Sequence, residues 1–243
     1  MKLLETNTHD FARAALRLAF WPVGTIEAHD LGPLGTDVIA PLQLASELAP
    51  RFDAVLLPTL PFGLVSSLAG YPGGMWMSDE TYRRMIHELI GSLAVSGIRE
   101  VVLFNGHGGN TSALGATLPV VWKAHGIKAA FVDWWTLGQD LSEKHFGSAG
   151  GHGGADELAL VRAHDPSLAP EHWDGSRAYL FRRGVRACPA PRPALRDAGP
   201  EAVPMTPASA AAFYAELLER VAGAVGEILS GWRAMDELTA RGQ

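Results

Sequence analysis

The chain has 243 residues, of which 47% are hydrophobic, enough to bury one substantial core in a single domain spanning 1–243. Its formal net charge is −6 and it contains no basic run, which gives nucleic-acid binding no support. Cys188 is the sole cysteine, so an intrachain disulfide is excluded and a reducing, cytoplasmic setting is expected.

The opening Met1-Lys2-Leu3-Leu4-Glu5 leads into no long apolar stretch, so neither a signal peptide nor a membrane span is expected. Residues 18–23 read as a strand running into Gly24-Thr25-Ile26-Glu27-Ala28-His29. Glu27 and His29 are two residues apart, which puts both side chains on one face of an extended backbone. Asp37 returns after residues 31–36, a loop containing glycine and proline that is long enough to fold back. Carboxylate oxygen and imidazole nitrogen suit Zn²⁺, Mn²⁺ or Fe²⁺, and a shared carboxylate would fit a two-metal hydrolytic site. The alternative reading is a loop carrying ordinary solvated charges.

Residues 79–96 predict a helix with Tyr82, Met85, Ile86, Leu89, Ile90 and Leu93 on its apolar face and His87 on the polar side. Val101-Val102-Leu103-Phe104 reads as a buried strand, and residues 111–125 as a helix presenting Leu114, Leu118, Val121 and Trp122 on one face. Between them lies Asn105-Gly106-His107-Gly108-Gly109-Asn110. A histidine between glycines at the carboxyl end of a strand stands where open α/β sheets bind ligands. By itself this run has two readings, a metal ligand or a loop cradling an anion at the following helix.

Phe131-Val132-Asp133 ends another strand, and the Trp134-Trp135 pair that follows offers an indole on which a planar substrate could stack. Core packing or an interface between copies is the competing reading for the pair. Asp133 either orients a ligating histidine or caps the loop. His152 sits in Ala149-Gly150-Gly151-His152-Gly153-Gly154, where the backbone can approach a ligand, or it is an idle histidine on a surface turn. Residues 184–207 contain six prolines and read as an irregular surface excursion, a lid or an interface arm. Residues 208–232 predict a helix with Phe213, Leu217, Val221, Val225 and Ile228 along one stripe. The remaining histidines lack ligand spacing. Strand and helix patterns alternate from residue 18 to 135, which predicts an α/β fold.

Five pieces in order resemble the creatininase family of metal-dependent amidohydrolases: Pro22-Val23-Gly24-Thr25-Ile26-Glu27-Ala28-His29, Leu34-Gly35-Thr36-Asp37, Tyr71-Pro72-Gly73, the run from Asn105 to Asn110, and His152-Gly153-Gly154-Ala155-Asp156-Glu157. The resemblance implies a three-layer α/β/α sandwich with a mostly parallel central sheet and a metal site at the carboxyl ends of the strands. It places Glu27, His29, Asp37 and His107 on metal-ligand positions, with Asp37 as the bridge. It puts His152 in proton transfer, and Glu157 beside the metals as a ligand or a supporting carboxylate. It further implies one or two divalent ions per chain (Zn, Mn or Fe), hydrolysis of a non-peptide C–N bond in a small cyclic amide or formamide, and a closed homo-oligomer, commonly a hexamer. A non-catalytic ligand-binding protein on the same scaffold is the alternative.

The departures from the family bear on substrate. Where the family often has Glu-x-His-Gly-x-His-Leu-Pro, this chain has Glu27-Ala28-His29-Asp30-Leu31-Gly32-Pro33, without the second histidine. Creatinine-hydrolysing members carry a metal-binding glutamate two residues after the glycine-flanked histidine, and here that position is Gly109. Either Glu157 supplies the missing carboxylate or a second metal is weak or absent, and creatinine itself is not the expected substrate. In residues 60–68, Val65 and Leu68 replace polar positions, leaving Ser66 as the residue expected to touch substrate or, failing that, to satisfy turn backbone.

Overall fold

Every residue of the first strand is buried, and successive side chains enter opposite layers. The computed structural model describes residues 1–29, 31–169, 172–174, 188 and 202–241. In chain order it contains α1 (Thr8–Ala14), β1 (Leu18–Val23), α2 (Thr36–Leu48), β2 (Val55–Leu56), α3 (Asp79–Val95), β3 (Glu100–Asn105), α4 (Thr111–His125), β4 (Lys128–Asp133), α5 (Trp134–Leu137), α6 (Gln139–Phe146), α7 (Ala155–His164), β5 (His172–Asp174), β6 (Ala202–Pro204) and α8 (Pro207–Arg241). Leu18 and Phe20 of β1, Val102 and Phe104 of β3 and Val132 of β4 face a core built with α2, α7 and α8. Ala19, Trp21 and Val23, with Val101 and Leu103, face the opposite core under α3 and α4. Side chains that alternate across a strand bury both faces of the sheet, which is the expected three-layer α/β/α arrangement.

The four strands run parallel in the order β2-β1-β3-β4. Pro22 lacks a backbone donor in a central strand, and its carbonyl faces the Leu60 N–H rather than β2, which pairs with β1 at Val55 and Leu56 and ends before Pro22 is reached. No ladder bond is lost there. Val23, Asn105 and Asp133 stand in register, so three strands end level and their following loops emerge at one edge. The first turn of α2 packs directly on that edge. An added Cβ at Gly24 or Gly106 would lie 2.1 or 1.9 Å from the Asp37 carbonyl oxygen, so only glycine permits the approach.

Several expectations shift in detail. On α4 the buried face is Ala113, Leu114, Thr117 and Val121, and Trp122 is 48% exposed because α4 packs between α3 and β4 on that narrower stripe. Leu89 likewise lies at the exposed margin of α3. The stripe of α8 closes on Leu229 rather than Ile228, and the helix runs on to Arg241. The proline-rich stretch 184–207 lies outside the described residues except for Cys188 and 202–207, of which Ala202–Pro204 form β6, antiparallel to β5. Among the described residues no helix is long and apolar enough to cross a membrane.

Candidate metal centre

The loops leaving β1 and β3, the first turn of α2 and the start of α7 bring Glu27, His29, Asp37, His107, His152 and Glu157 together. Glu27, His29 and Asp37 are 2%, 1% and 2% exposed, and Glu157 is buried with them. Asp37 is the second residue of α2, where the helix dipole favours a carboxylate. Glu157 occupies the same part of α7, and its Oε2 accepts the Gly153 N–H at 2.7 Å.

The three histidines share one arrangement. In His29, Nδ1 donates to the Glu27 carbonyl at 3.0 Å, which leaves Nε2 2.9 Å from Asp37 Oδ1 and 3.6 Å from Glu157 Oε2. In His107, Nε2 donates to the Leu64 carbonyl at 2.8 Å, which leaves Nδ1 2.9 Å from Asp37 Oδ2 and 3.2 Å from Glu27 Oε1. In His152, Nε2 donates to the Ala28 carbonyl at 2.6 Å, which leaves Nδ1 3.1 Å from Glu27 Oε1. A carbonyl can only accept, so these bonds assign the proton to the outward nitrogen and turn the other toward the carboxylates. Ligating histidines are held in this way by a partner on the far nitrogen. The rings of His29 and His152 stack with centroids 4.4 Å apart.

Three overlapping donor sets result, each with its atoms within 4.8 Å of one another: Glu27, Asp37 and His107; His29, Asp37 and Glu157; Glu27, His29 and His152. Glu27 Oε1 and Asp37 Oδ2 are buried and, among the described residues, have no hydrogen-bond partner despite their close imidazole neighbours. Buried anionic oxygens without a donor are costly, and a cation at the convergence of these atoms would satisfy them. The residues present therefore fit a divalent metal.

Electrostatics describe the same centre without metal. Burial alone would raise the Glu27 carboxyl, but His107 and His152 outweigh it and lower it to about 2. Burial also opposes ionisation of Asp37, yet His29 and His107 hold it far below the usual carboxylate range. Burial and then the Asp37 charge push Glu157 well above its ordinary value. For His29, His107 and His152 burial lowers the imidazole, and neighbouring carboxylates, chiefly Asp37 for the first two and Glu27 for the third, reverse it and raise all three.

A cavity of about 210 Å³ opens over the cluster, bounded by His107, His152 and Glu157, by Trp135 and Asp156, and by the glycines at 106, 108 and 151. Trp135 lines this cavity, but Trp134 does not. Trp134 is 1% exposed in the core under α8, because the chain turns into α5 and successive helical residues point about 100° apart. Ser66 stands on an exposed bend outside the cavity lining, and its carbonyl accepts from Cys188. The residue of that loop that reaches the centre is Leu64, through its backbone. Among the described residues, Asp133 bonds none of the three histidines of the centre. It accepts from Asn105 Nδ2 at 2.7 Å and from Thr111 Oγ1 at 3.0 Å, while Asn105 bonds both the N–H and the carbonyl of His107.

Sequence reasoning missed Asn105, Asn110 and Asp156. Both asparagines are 0% exposed, and Asp156 accepts the Gly151 N–H at 3.1 Å, tying down the His152 loop. The signal for the asparagines was their place flanking a glycine-rich histidine turn, where buried amides must bond backbone.

Comparison with known proteins follows the same lines. The creatininase family profile, described as creatinine amidohydrolase, matches residues 4–219. The creatinine amidohydrolase of Pseudomonas putida is 25% identical over 166 residues, covering 60% of this chain and 64% of that protein. The mycofactocin precursor peptide peptidase of Mycolicibacterium smegmatis is 28% identical over 125 residues, covering 49% of this chain and 50% of that protein. The chain thus spans less than two thirds of the length of these curated relatives. A crystal structure of creatinine amidohydrolase superposes with a TM-score of 0.79 at 19% identity, covering 93% of this chain and 96% of that one. A manganese creatininase and a Zn–Zn form of a creatininase mutant superpose with the same TM-score and identity, covering 93% of this chain and 97% of theirs. At this identity the likeness speaks for the fold.

Proposed function

Because the chain belongs to the creatininase family, whose members are hydrolases, we propose that it is a divalent-metal amidohydrolase acting on a small non-peptide amide of cyclic or formamide type. The observation that carries this reading is the set of three imidazoles, each pinned by a backbone carbonyl on one nitrogen and turned to buried carboxylates on the other. Glu27, Asp37 and His107 would hold one ion (Zn, Mn or Fe), and His29, Asp37 and Glu157 a second, with Asp37 shared. When bound, such ions supply Lewis acidity toward an amide carbonyl and acidify water to a pKa of about 7.

The chain's own groups do the rest. His152 is anchored through Nε2, so Nδ1 is the nitrogen free to take a proton from the attacking water and hand it to the departing amine. Asp156 and Glu157 hold the glycine loop that carries His152, and Trp135 offers a flat wall to a planar substrate. Gly109 provides no carboxylate, so Glu157 takes that part and creatinine is not the favoured substrate. A second reading, an amide bond within a short peptide, is favoured by the similarity to the mycofactocin peptidase. A closed homo-oligomer, as large as a hexamer, completes the proposal. The exposed Trp122 and Val120 on α4 are the kind of surface such contacts bury.

Elemental analysis of protein purified without chelator tests the reading, together with a panel of cyclic amides, formamides and short peptides. Two transition-metal ions per chain are expected, lost in His107→Ala. His152→Ala keeps the metal but lowers kcat by roughly 100- to 10,000-fold. Protein that takes up no zinc, manganese or iron on reconstitution would leave a ligand-binding scaffold as the better account.

A further inference from the structure

The tautomer of His107 is not set by any residue next to it in space through its own side chain, but by a carbonyl on another loop. His107 Nδ1 stands between Asp37 Oδ2 and Glu27 Oε1, two anionic acceptors that would attract the ring proton to that nitrogen. A proton there would remove the lone pair a metal needs. The competing acceptor is Leu64 O, 2.8 Å from Nε2. Leu64 is itself held by Asn110, whose Oδ1 accepts the Leu64 N–H at 3.0 Å and whose Nδ2 donates at 3.3 Å to Gly24 O and to Asn105 Oδ1. The fully buried amide of Asn110 thereby ties the end of β1, the end of β3 and the 63–64 segment into one unit. Gly109 leaves room for the bond. A Cβ there would lie 2.3 Å from Leu64 O and 2.4 Å from His107 Nε2, in the path of the hydrogen bond, and Gly109 has no positive φ that would otherwise demand glycine.

We propose that Gly109 and Asn110 are positioning residues that lock His107 in the Nε2–H tautomer through the Leu64 carbonyl and so present Nδ1 to the metal. The proposal rests on His107 being a ligand, and it gives position 109 a reason to be glycine in this chain.

Zinc affinity, measured by competition with a chromogenic chelator, is combined with the ¹⁵N imidazole spectrum of His107, assigned with His107→Ala. In wild-type protein the spectrum is expected to show a proton on Nε2. Gly109→Ala and Asn110→Ala are expected to weaken zinc binding by about 10- to 100-fold and to move the proton toward Nδ1. Gly115→Ala, farther along α4 and outside the cavity, is the control: its Cβ would come no nearer than 4.0 Å to Phe131 Cε1, and it keeps both affinity and tautomer. Wild-type protein with the proton on Nδ1 overturns the proposal, as do folded Gly109→Ala and Asn110→Ala variants with unchanged affinity and tautomer. If Asn110→Ala fails to fold, Gly109→Ala and the wild-type spectrum decide. If wild-type protein binds no zinc, the metal reading fails separately, and the spectrum of the metal-free protein, taken where the imidazole is neutral, still decides the clamp.

Discussion

Replacing Glu157 by glutamine separates the metal-binding part proposed for this carboxylate from its structural part. Glu157 is buried, 3.6 Å from His29 Nε2, and accepts the Gly153 N–H. Its carboxyl is raised by burial first and by the Asp37 charge second. A carboxyl whose folded-state pKa is raised takes up a proton on folding, so it subtracts from stability at every pH above its unfolded value. Glutamine has the same shape, keeps an oxygen for Gly153 and cannot ionise. Metal-free Glu157→Gln is therefore expected to be at least as stable as wild-type protein at neutral pH. With metal the order reverses. At 100 times Kd, binding at one site adds about 2.7 kcal/mol, and a ligand loss that weakens Kd about 100-fold leaves about 0.4 kcal/mol. For a chain of this size each kcal/mol moves Tm by about 2–4 °C. Zinc should then raise the wild-type Tm by about 5–11 °C through this site and that of the variant by about 1–2 °C. Calorimetry on chelated and zinc-restored protein, with metal content measured in parallel, reads both effects. An unchanged zinc-dependent rise with unchanged metal content would remove Glu157 from the ligand set. A large fall in the metal-free Tm would show instead that its ionised form supports the fold.

Zinc binding should release protons, because the imidazoles of His29, His107 and His152 stand above their ordinary value in the metal-free protein, where carboxylates outweigh burial, and a metal needs them neutral. Affinity is thus expected to keep climbing as pH rises past the ordinary imidazole value of about 6.5, with proton release seen by calorimetry in buffers of different ionisation enthalpy, and a flat profile would contradict it. Leu217→Ala, a fully buried position on α8, should cost about 2–5 kcal/mol and lower Tm by roughly 4–20 °C. Trp122→Ala, on the exposed side of α4, should change monomer stability by less than about 0.5 kcal/mol. If that face joins copies, the same substitution lowers the assembly size in light scattering.

The local rules carried a long way. Continuous apolar runs over residues 18–23 and 101–104 announced buried strands, and period-3.6 stripes announced α3, α4 and α8. The same-face rule paired Glu27 with His29, and the glycines around His107 marked a strand end open to a ligand. These features are local, because side-chain chemistry and backbone period are properties of neighbours in the chain. What lay beyond the sequence involves contacts between distant segments. His107 meets Leu64 across 43 positions, and Leu64 meets Asn110 across 46. Nothing in either loop names its partner, since one member of each bond is backbone and carries no residue-specific signal. The tryptophan pair divides for the same reason. One helical step separates Trp134 from Trp135, and the packing of α8 decides which of them is sealed in the core and which faces the cavity. The sequence alone determined which donors are present and which strands carry them. Tertiary structure decided which donors converge, because only the level ends of β1, β3 and β4, with α2 pressed on their glycines, bring segments so far apart to one point.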